Sequence, residues 1–249
     1  MLTEDRLNRI IAMVNQSGSV TTTQLMRELD SSESTIRRDL AVLDRKKDLI
    51  KVRGGAIAIH GTYGTKDDEV VLRKSRSIEE KRRIAAYAAG LITDEDFVFL
   101  DAGTTTELLI PFIRAHKAIF VTNALSHAMK LSEQGLSVYI LGGAFKNTTE
   151  AIVGEEAIAS LTKYNFTKGF FGTNGVHREK GFTTPEIRES QLKGYAMKKC
   201  RQCYVLADHT KLDRIFAITF GDYESATVVT DQADGIYAND HNVTEVKAS

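Results

Sequence analysis

No tryptophan, only two prolines and only two cysteines occur among the 249 residues. The first two scarcities decide nothing about function. The third excludes a disulfide framework and fits a reducing, cytoplasmic compartment. Cys200 and Cys203 do have CxxC spacing. Zinc, however, needs about four ligands, and no second Cys or His pair lies at a suitable distance, so they read as ordinary cysteines where a helix gives way to a strand. Net charge is missing too: 33 Lys and Arg balance 33 Asp and Glu. No global field then drives nucleic-acid binding, and any such contact must come from local clustering. No apolar run approaches a membrane span, and the polar start MLTEDRLNRI has no apolar core of the signal-peptide kind. GxSxG and HExxH are absent and the six histidines are scattered singly, so neither metal nor nucleophilic catalysis has support and no cofactor is expected.

What is present begins with Val20 to Ala56. Leu2, Leu7, Ile10, Ile11 and Val14 recur at helical spacing before Gly18. Thr21 to Thr23 offer N-cap hydroxyls to a second helix carrying Leu25, Met26 and Leu29. Ser31 and Ser32 break and re-cap, and a third helix buries Ile36, Leu40 and Leu43. Its free face carries Ser34, Thr35, Arg37 and Arg38 at the N-terminal end, where helix-turn-helix proteins present side chains to base edges. The arginine fork fits guanine O6 and N7, and the two hydroxyls fit phosphates. Residues 49–52 read as a strand, Arg53-Gly54-Gly55 as a turn and residues 56–59 as the return strand. Lys51, Arg53 and Gly54 of this basic wing are expected to reach the minor groove or the DNA backbone. Surface ion pairs of the arginines with Asp39 or Asp44 are the alternative use of the same residues.

The stretch from 60 to 77 is polar and poor in apolar residues, as a linker is. The domains are therefore expected at 1–59 and 78–249. The second alternates helices with apolar runs at 97–100, 118–121, 138–141, 169–171, 204–206 and 226–229, of the kind buried on both faces of a parallel sheet. Ligands of such sheets collect at the carboxyl ends of strands. Those ends carry Asp101, Gly103, Thr104, Thr105 and Thr106, then Asn123, Gly143, Asn174 and Lys211. A glycine and three threonines at a helix start supply amide and hydroxyl donors for an anion, most naturally phosphate; a plain N-cap uses the same residues. Asp101, Asn123 and Asn174 suit sugar hydroxyls or loop caps.

The segment SSESTIRRDLAVLDRKKDLIKVRGGA closely resembles the hallmark of the DeoR family of bacterial transcription regulators, with Arg53 where the family usually has a histidine. DAGTTTELL, VTNAL, LGG, GTNGV and ADHTK are similar to the family's effector domain, and the matches run to about Asp234. The resemblance implies a winged helix-turn-helix followed by a ribose-5-phosphate-isomerase-like, Rossmann-like α/β domain. It implies double-stranded operator DNA and a phosphorylated sugar as partners, with DNA released on effector binding. TTTELL and GFTTPEIRES resemble repressors of fructose-utilisation operons, which points to fructose 1-phosphate. One recognition helix covers only a half-site, so a homo-oligomer, dimer or tetramer, is expected.

An isomerase fused to a DNA-binding module is the competing reading. Aldose–ketose isomerisation needs a carboxylate base beside the sugar C1 and C2. Where such isomerases carry an acidic pair, this chain has Asn174-Gly175, and asparagine cannot take a proton. Glu186 and Glu189 remain as candidate bases, the first read instead as a ligand contact and the second as a helix-surface charge. The expectation is binding without turnover.

Overall fold

The computed structural model describes residues 3–17, 19–46, 48–52, 54–57 and 77–247. The chain divides into two compact units, Met1–Thr62 and Tyr63–Ser249. The linker expected at 60–77 lies, except for Ser77, outside the described residues.

In the first unit α1 (Thr3–Ser17), β1 (Ser19–Thr21), α2 (Thr22–Leu29), α3 (Glu33–Lys46), β2 (Ile50–Val52) and β3 (Gly55–Ile57) follow in order. Thr21 starts α2 with a reciprocal capping box. Its hydroxyl accepts from the Gln24 amide at 3.1 Å, and the Gln24 side chain accepts from the Thr21 amide at 2.9 Å. Asp30 ends the helix in the left-handed region at φ 45°, a conformation Asp tolerates better than most residues. Ile10, Val14, Leu25, Leu29, Ile36, Leu40, Leu43 and Leu49 are buried together as the core, each contributing about 1.5–3 kcal/mol. The three strands form an antiparallel sheet in the order β1-β3-β2. β1 adds a strand the sequence pattern did not predict, since three residues are too short to show a period.

The glycine pair of the hairpin divides its work. Gly54 sits at φ 91°, where a side chain is strained. Gly55 has ordinary φ, but a Cβ there would meet the Val20 carbonyl oxygen at 2.1 Å. The second glycine is therefore required by strand packing inside this unit.

The second unit is built on seven strands. β4 (Phe97–Leu100), β5 (Ile119–Thr122), β6 (Ser137–Ile140), β9 (Phe166–Gly172), β12 (Cys200–Leu206), β14 (Thr227–Thr230) and β15 (Val243–Glu245) pair in the order β15-β14-β12-β9-β4-β5-β6. Every pairing in it is parallel. Helices α4 (Ile78–Gly90), α5 (Thr104–Leu109), α6 (Leu125–Glu133), α7 (Glu155–Leu161) and α8 (Ile187–Lys198) connect or cover them. Val98, Leu100, Phe120 and Phe170 enter one core, Phe99, Val121, Phe171 and Val205 the other. This two-sided burial explains the continuous apolar runs.

Two corrections follow. The run at 138–141 was expected to be buried on both faces, but β6 is an edge strand with Tyr139 and Ile140 exposed. Composition alone cannot separate an apolar edge from an apolar centre. The antiparallel hairpin of β7 (Ala144–Lys146) and β8 (Ala151–Val153), and the small sheet of β10 (Gly175–His177), β11 (Gly181–Thr184) and β13 (Ile218–Gly221), were not anticipated.

Candidate nucleic-acid interface and ligand crevice

In the first unit the Arg-Arg-Asp triplet splits across α3. Asp39 is 3% exposed and turns inward, where Arg6 of α1 donates to it at 2.6 and 3.3 Å. Arg37 and Arg38 face outward and are exposed. Arg37 makes an exposed i,i+4 pair with Glu33 at 2.5 Å, a contact worth about 0.3–0.5 kcal/mol, while Arg38 pairs with none of the described residues. Neither arginine pairs with Asp39 or Asp44. Asp44 instead accepts the Lys51 amide at 2.8 Å, fastening α3 to β2. Ser34 and Thr35 share the Ser32 hydroxyl at 3.0 and 2.9 Å, so their oxygens already stand in one polar cluster at the start of α3. Lys51 and Gly54 are exposed on the hairpin; Arg53 lies outside the described residues. The N-terminal end of α3 thus presents two guanidinium groups and two hydroxyls from a packed three-helix base, which suits contact with a polyanion.

In the second unit the strand order fixes where a ligand crevice can form. From β4 the chain moves outward through β5 to β6, then returns to β9 on the other side of β4. The connections therefore diverge between β4 and β9, and the carboxyl end of such a divergence is where open parallel sheets bind ligands. Asp101 and Gly172 meet there: the Gly172 amide donates to Asp101 Oδ2 at 3.0 Å. Lys193 of α8 donates to the same oxygen and to the Gly172 carbonyl at 3.1 Å. Burial pushes the Asp101 carboxyl above its ordinary range, opposed by the Lys193 ammonium and the Gly172 amide.

The Asp101–Thr106 loop is tied down on its other side. The Ala102 amide donates to Asn123 Oδ1 at 2.8 Å, and Asn123 Nδ2 donates to the Ile152 carbonyl at 3.3 Å. Both ends of that buried amide are engaged, so a sugar hydroxyl reaching it has to displace one of these bonds. Thr106 is buried and donates to the Asp101 carbonyl at 2.6 Å, with the Gly103 carbonyl at 2.9 Å. Its hydroxyl therefore shapes the loop. Thr104 is half-buried and Thr105 is 7% exposed. Gly103, Thr104, Glu107, His127, Thr149 and Glu150 line a shallow pocket beside the crevice.

Behind it α8 carries a charged row. Glu186 caps the helix by accepting the Glu189 amide at 2.8 Å. Glu189 is buried, accepting from Thr149 at 2.5 Å and Lys146 at 2.9 Å. Its burial raises the carboxyl's pKa, but Lys193, Thr149 and Lys146 together bring it below the usual range. It is not the helix-surface charge expected. Gly143 sits at φ 138°, and a Cβ there would approach the Val153 carbonyl at 2.9 Å, so packing of the β7–β8 hairpin requires it. Asn174 follows β9, its amide donating to the Thr183 carbonyl at 3.1 Å. Lys211 follows β12 in the 3-10 turn His209–Lys211, which Asp208 caps through the Thr210 amide. There Asp231 accepts from His209 at 2.8 Å and raises its pKa.

The crevice therefore brings Asp101, Gly103, Thr104 and Asn123 together by direct contact or through one loop, while Asn174 follows β9, the neighbour of β4, and Lys211 follows β12, one strand further on. Lys193, His127, Glu107 and Thr149 escaped sequence reasoning. Lys193 had one local signal, its i,i+4 spacing from Glu189; its partner Asp101 is 92 residues away. The two cysteine thiols donate to the Ala196 and Met197 carbonyls at 3.1 and 3.5 Å, and no His/Cys/Asp/Glu group suited to a metal occurs among the described residues. No helix among them is long and apolar enough to cross a membrane.

Comparison with known proteins matches both units. A family model for the DeoR-like helix-turn-helix domain covers residues 6–62, and one for the DeoR C terminal sensor domain covers residues 76–232. An uncharacterized HTH-type transcriptional regulator FruR of Bacillus subtilis is 38% identical over 94% of this chain and 93% of its own length. A lactose phosphotransferase system repressor of Staphylococcus aureus is 36% identical over 90% of each chain. Among solved structures, a ribose 5-phosphate isomerase A of Methanocaldococcus jannaschii aligns with 53% of each chain at 15% identity and TM-score 0.40, a likeness too slight to argue from.

Proposed function

The chain belongs to the DeoR family of transcription regulators, and on that premise we propose that it represses a sugar-utilisation operon and leaves its operator when a phosphorylated sugar binds. Residues 1–59 read DNA, residues 60–77 link, and residues 78–249 sense the effector. The observation that carries this reading is the outward pair Arg37 and Arg38 on a helix whose other face is locked into a core. Ser34, Thr35, Lys51, Arg53 and Gly54 complete the DNA surface. Names of the relatives, one a lactose phosphotransferase system repressor, favour a sugar-derived effector, and fructose 1-phosphate is the first to try.

At the crevice Gly103, Thr104 and Thr105 offer donors to the phosphate, and Lys211 brings compensating charge from the turn after β12. Asp101, Asn123, Asn174 and Glu186 face the sugar hydroxyls. The same residues favour binding over turnover. Asn174 cannot act as a base, Glu186 caps a helix, and Glu189 is held by Thr149 and Lys146. The protein works in the cytoplasm as a dimer or tetramer that spans paired half-sites. Coupling of about 1–3 kcal/mol between effector and operator is typical and sufficient.

A thermal-shift screen with phosphorylated hexoses and trioses, followed by operator release with each ligand found, tests this reading. A ligand of the folded state raises the melting temperature by mass action. Lys211→Ala and Thr105→Ala are expected to bind operator normally but need more effector for release. Release at the wild-type concentration in both variants would overturn the assigned anion site, and isomerised product would restore the enzyme reading.

A further inference from the structure

We infer that Asp231 and His209 are positioning residues of the effector site, fixing the turn that carries Lys211 without touching the effector themselves. The inference rests on the proposed reading of Lys211 as the charge that meets the phosphate, and says what keeps that charge in place.

Parallel pairing of β12 with β14 puts Asp231 beside the start of the turn. The Ala207 amide donates to the Val229 carbonyl at 3.0 Å, as a parallel ladder requires. Two residues on, the same pattern would send the His209 amide to the Asp231 carbonyl. It donates instead to the Asp231 side chain, Oδ1, at 2.8 Å, and the His209 ring meets Oδ2 through Nδ1 at 2.8 Å. An ionised carboxylate only accepts, so Nδ1 carries the proton. One carboxylate thus grips residue 209 by backbone and ring together, at the point where the chain leaves the sheet.

The rest of the turn hangs from that grip. Asp208 accepts from the Thr210 amide at 3.1 Å and from the Thr210 hydroxyl, and the Lys211 amide donates to the Asp208 carbonyl at 2.9 Å. Just beyond, Leu212 forms a parallel bridge with Val176. That bridge brings the turn alongside the Asn174-Gly175-Val176 segment after β9. Lys211 therefore sits between two fixed points, the Asp231 carboxylate before it and the Val176 bridge after it.

The first of these points is a charge pair. Burial raises the Asp231 carboxyl, but the ring and amide of His209 bring it below its ordinary range, and the bond to Asp231 raises the pKa of His209. Both directions favour the charged forms of the pair. Arg83 of α4 stands 3.9 Å from Oδ2, and Asp208 and Glu80 add negative charge around the ring. An exposed ion pair contributes little, but the Asp231 side chain is 3% exposed. Removing the ring leaves a buried acceptor short of its donor, which costs more than the pair gains.

Calorimetric titration of the full chain with fructose 1-phosphate, and separately with inorganic phosphate, tests the inference. Lys211→Ala is expected to bind about ten- to a hundredfold more weakly, the worth of one hydrogen bond to a charged group. Asp231→Ala and His209→Ala are each expected to bind about fivefold more weakly, since the ammonium is displaced and not removed, while circular dichroism stays unchanged. In the Lys211→Ala background neither change is expected to weaken binding further, because nothing is left to position. Asp96→Ala, at a buried carboxylate just before β4 and so at the other end of the sheet, controls for lost stability and is expected to bind as wild type. If Asp231→Ala misfolds, His209→Ala, with its half-exposed ring, keeps the test valid. Wild-type affinity in both single variants, or losses undiminished in the Lys211→Ala background, overturns the positioning role alone and leaves the anion site standing. A wild-type chain that binds neither probe, or Lys211→Ala binding both as wild type does, overturns the anion site and this inference together.

Discussion

Replacing Asp39 with alanine should loosen the unit that carries Arg37 and Arg38 without removing any side chain proposed to touch DNA. Asp39 is 3% exposed and takes two hydrogen bonds from Arg6, whose side chain is itself 13% exposed. Breaking a fully buried pair costs about 3–5 kcal/mol, because the partner charge is left uncompensated. Exposed pairs cost about 0–1 kcal/mol. With Arg6 partly wet, about 2–3 kcal/mol is the expected loss. A core of this size supplies only about 3–5 kcal/mol in total, so the variant unit keeps roughly 1–2 kcal/mol. Hydrogen exchange on the full chain reads this locally: α3 amides should lose about thirty- to a hundred-and-fifty-fold of their protection, while β9 and β12 amides in the other unit stay unchanged. Arg6→Ala should produce a loss of similar size, and the double variant should cost less than the two singles together. Unchanged α3 protection in Asp39→Ala, or strict additivity in the double variant, would refute the view that this pair fastens α3 to α1.

Acid should weaken the second unit through Asp96. Burial raises the pKa of that carboxyl, but Lys168, the Thr93 amide and the Thr167 and Thr93 hydroxyls together lower it to about 2. A depressed carboxyl contributes stability that is complete above its ordinary value near 3.8 and lost as pH falls toward 2. The loss is about 2 kcal/mol, visible in urea midpoints between pH 5 and 2 and largely absent in Asp96→Asn; an equally steep acid slope in that variant would contradict it. Gly55→Ala should distort the hairpin, since its Cβ meets the Val20 oxygen at 2.1 Å. Gly54→Ala should cost only about 1 kcal/mol, for its left-handed φ alone. Thermal unfolding that ranks the two variants the other way would count against the packing role of Gly55.

Much of this was legible before any coordinates. Ile36, Leu40 and Leu43 mark the buried face of α3 by spacing, so Arg37 and Arg38 had to face outward. The runs at 97–100, 118–121 and 204–206 betray strands covered on both sides. Less visible was anything set by partners distant in the chain. Asp39 looks like one more surface acid until Arg6 arrives from α1. Lys193 and Asp101 share no local pattern. SVYIL has the composition of a central strand, and only the sheet order shows that it ends the sheet. Short antiparallel pairs such as β7–β8 leave too few residues to establish alternation.

Operator affinity of the arginine variants addresses the DNA-reading proposal most directly. Fluorescence anisotropy of the full chain with its own upstream DNA, at one fixed salt concentration, should show Arg37→Ala or Arg38→Ala binding about 1–3 kcal/mol more weakly than wild type, with specificity relaxed if the lost contact is to a base. Wild-type affinity and specificity in both variants would mean that the N-terminal end of α3 is not the surface that meets DNA.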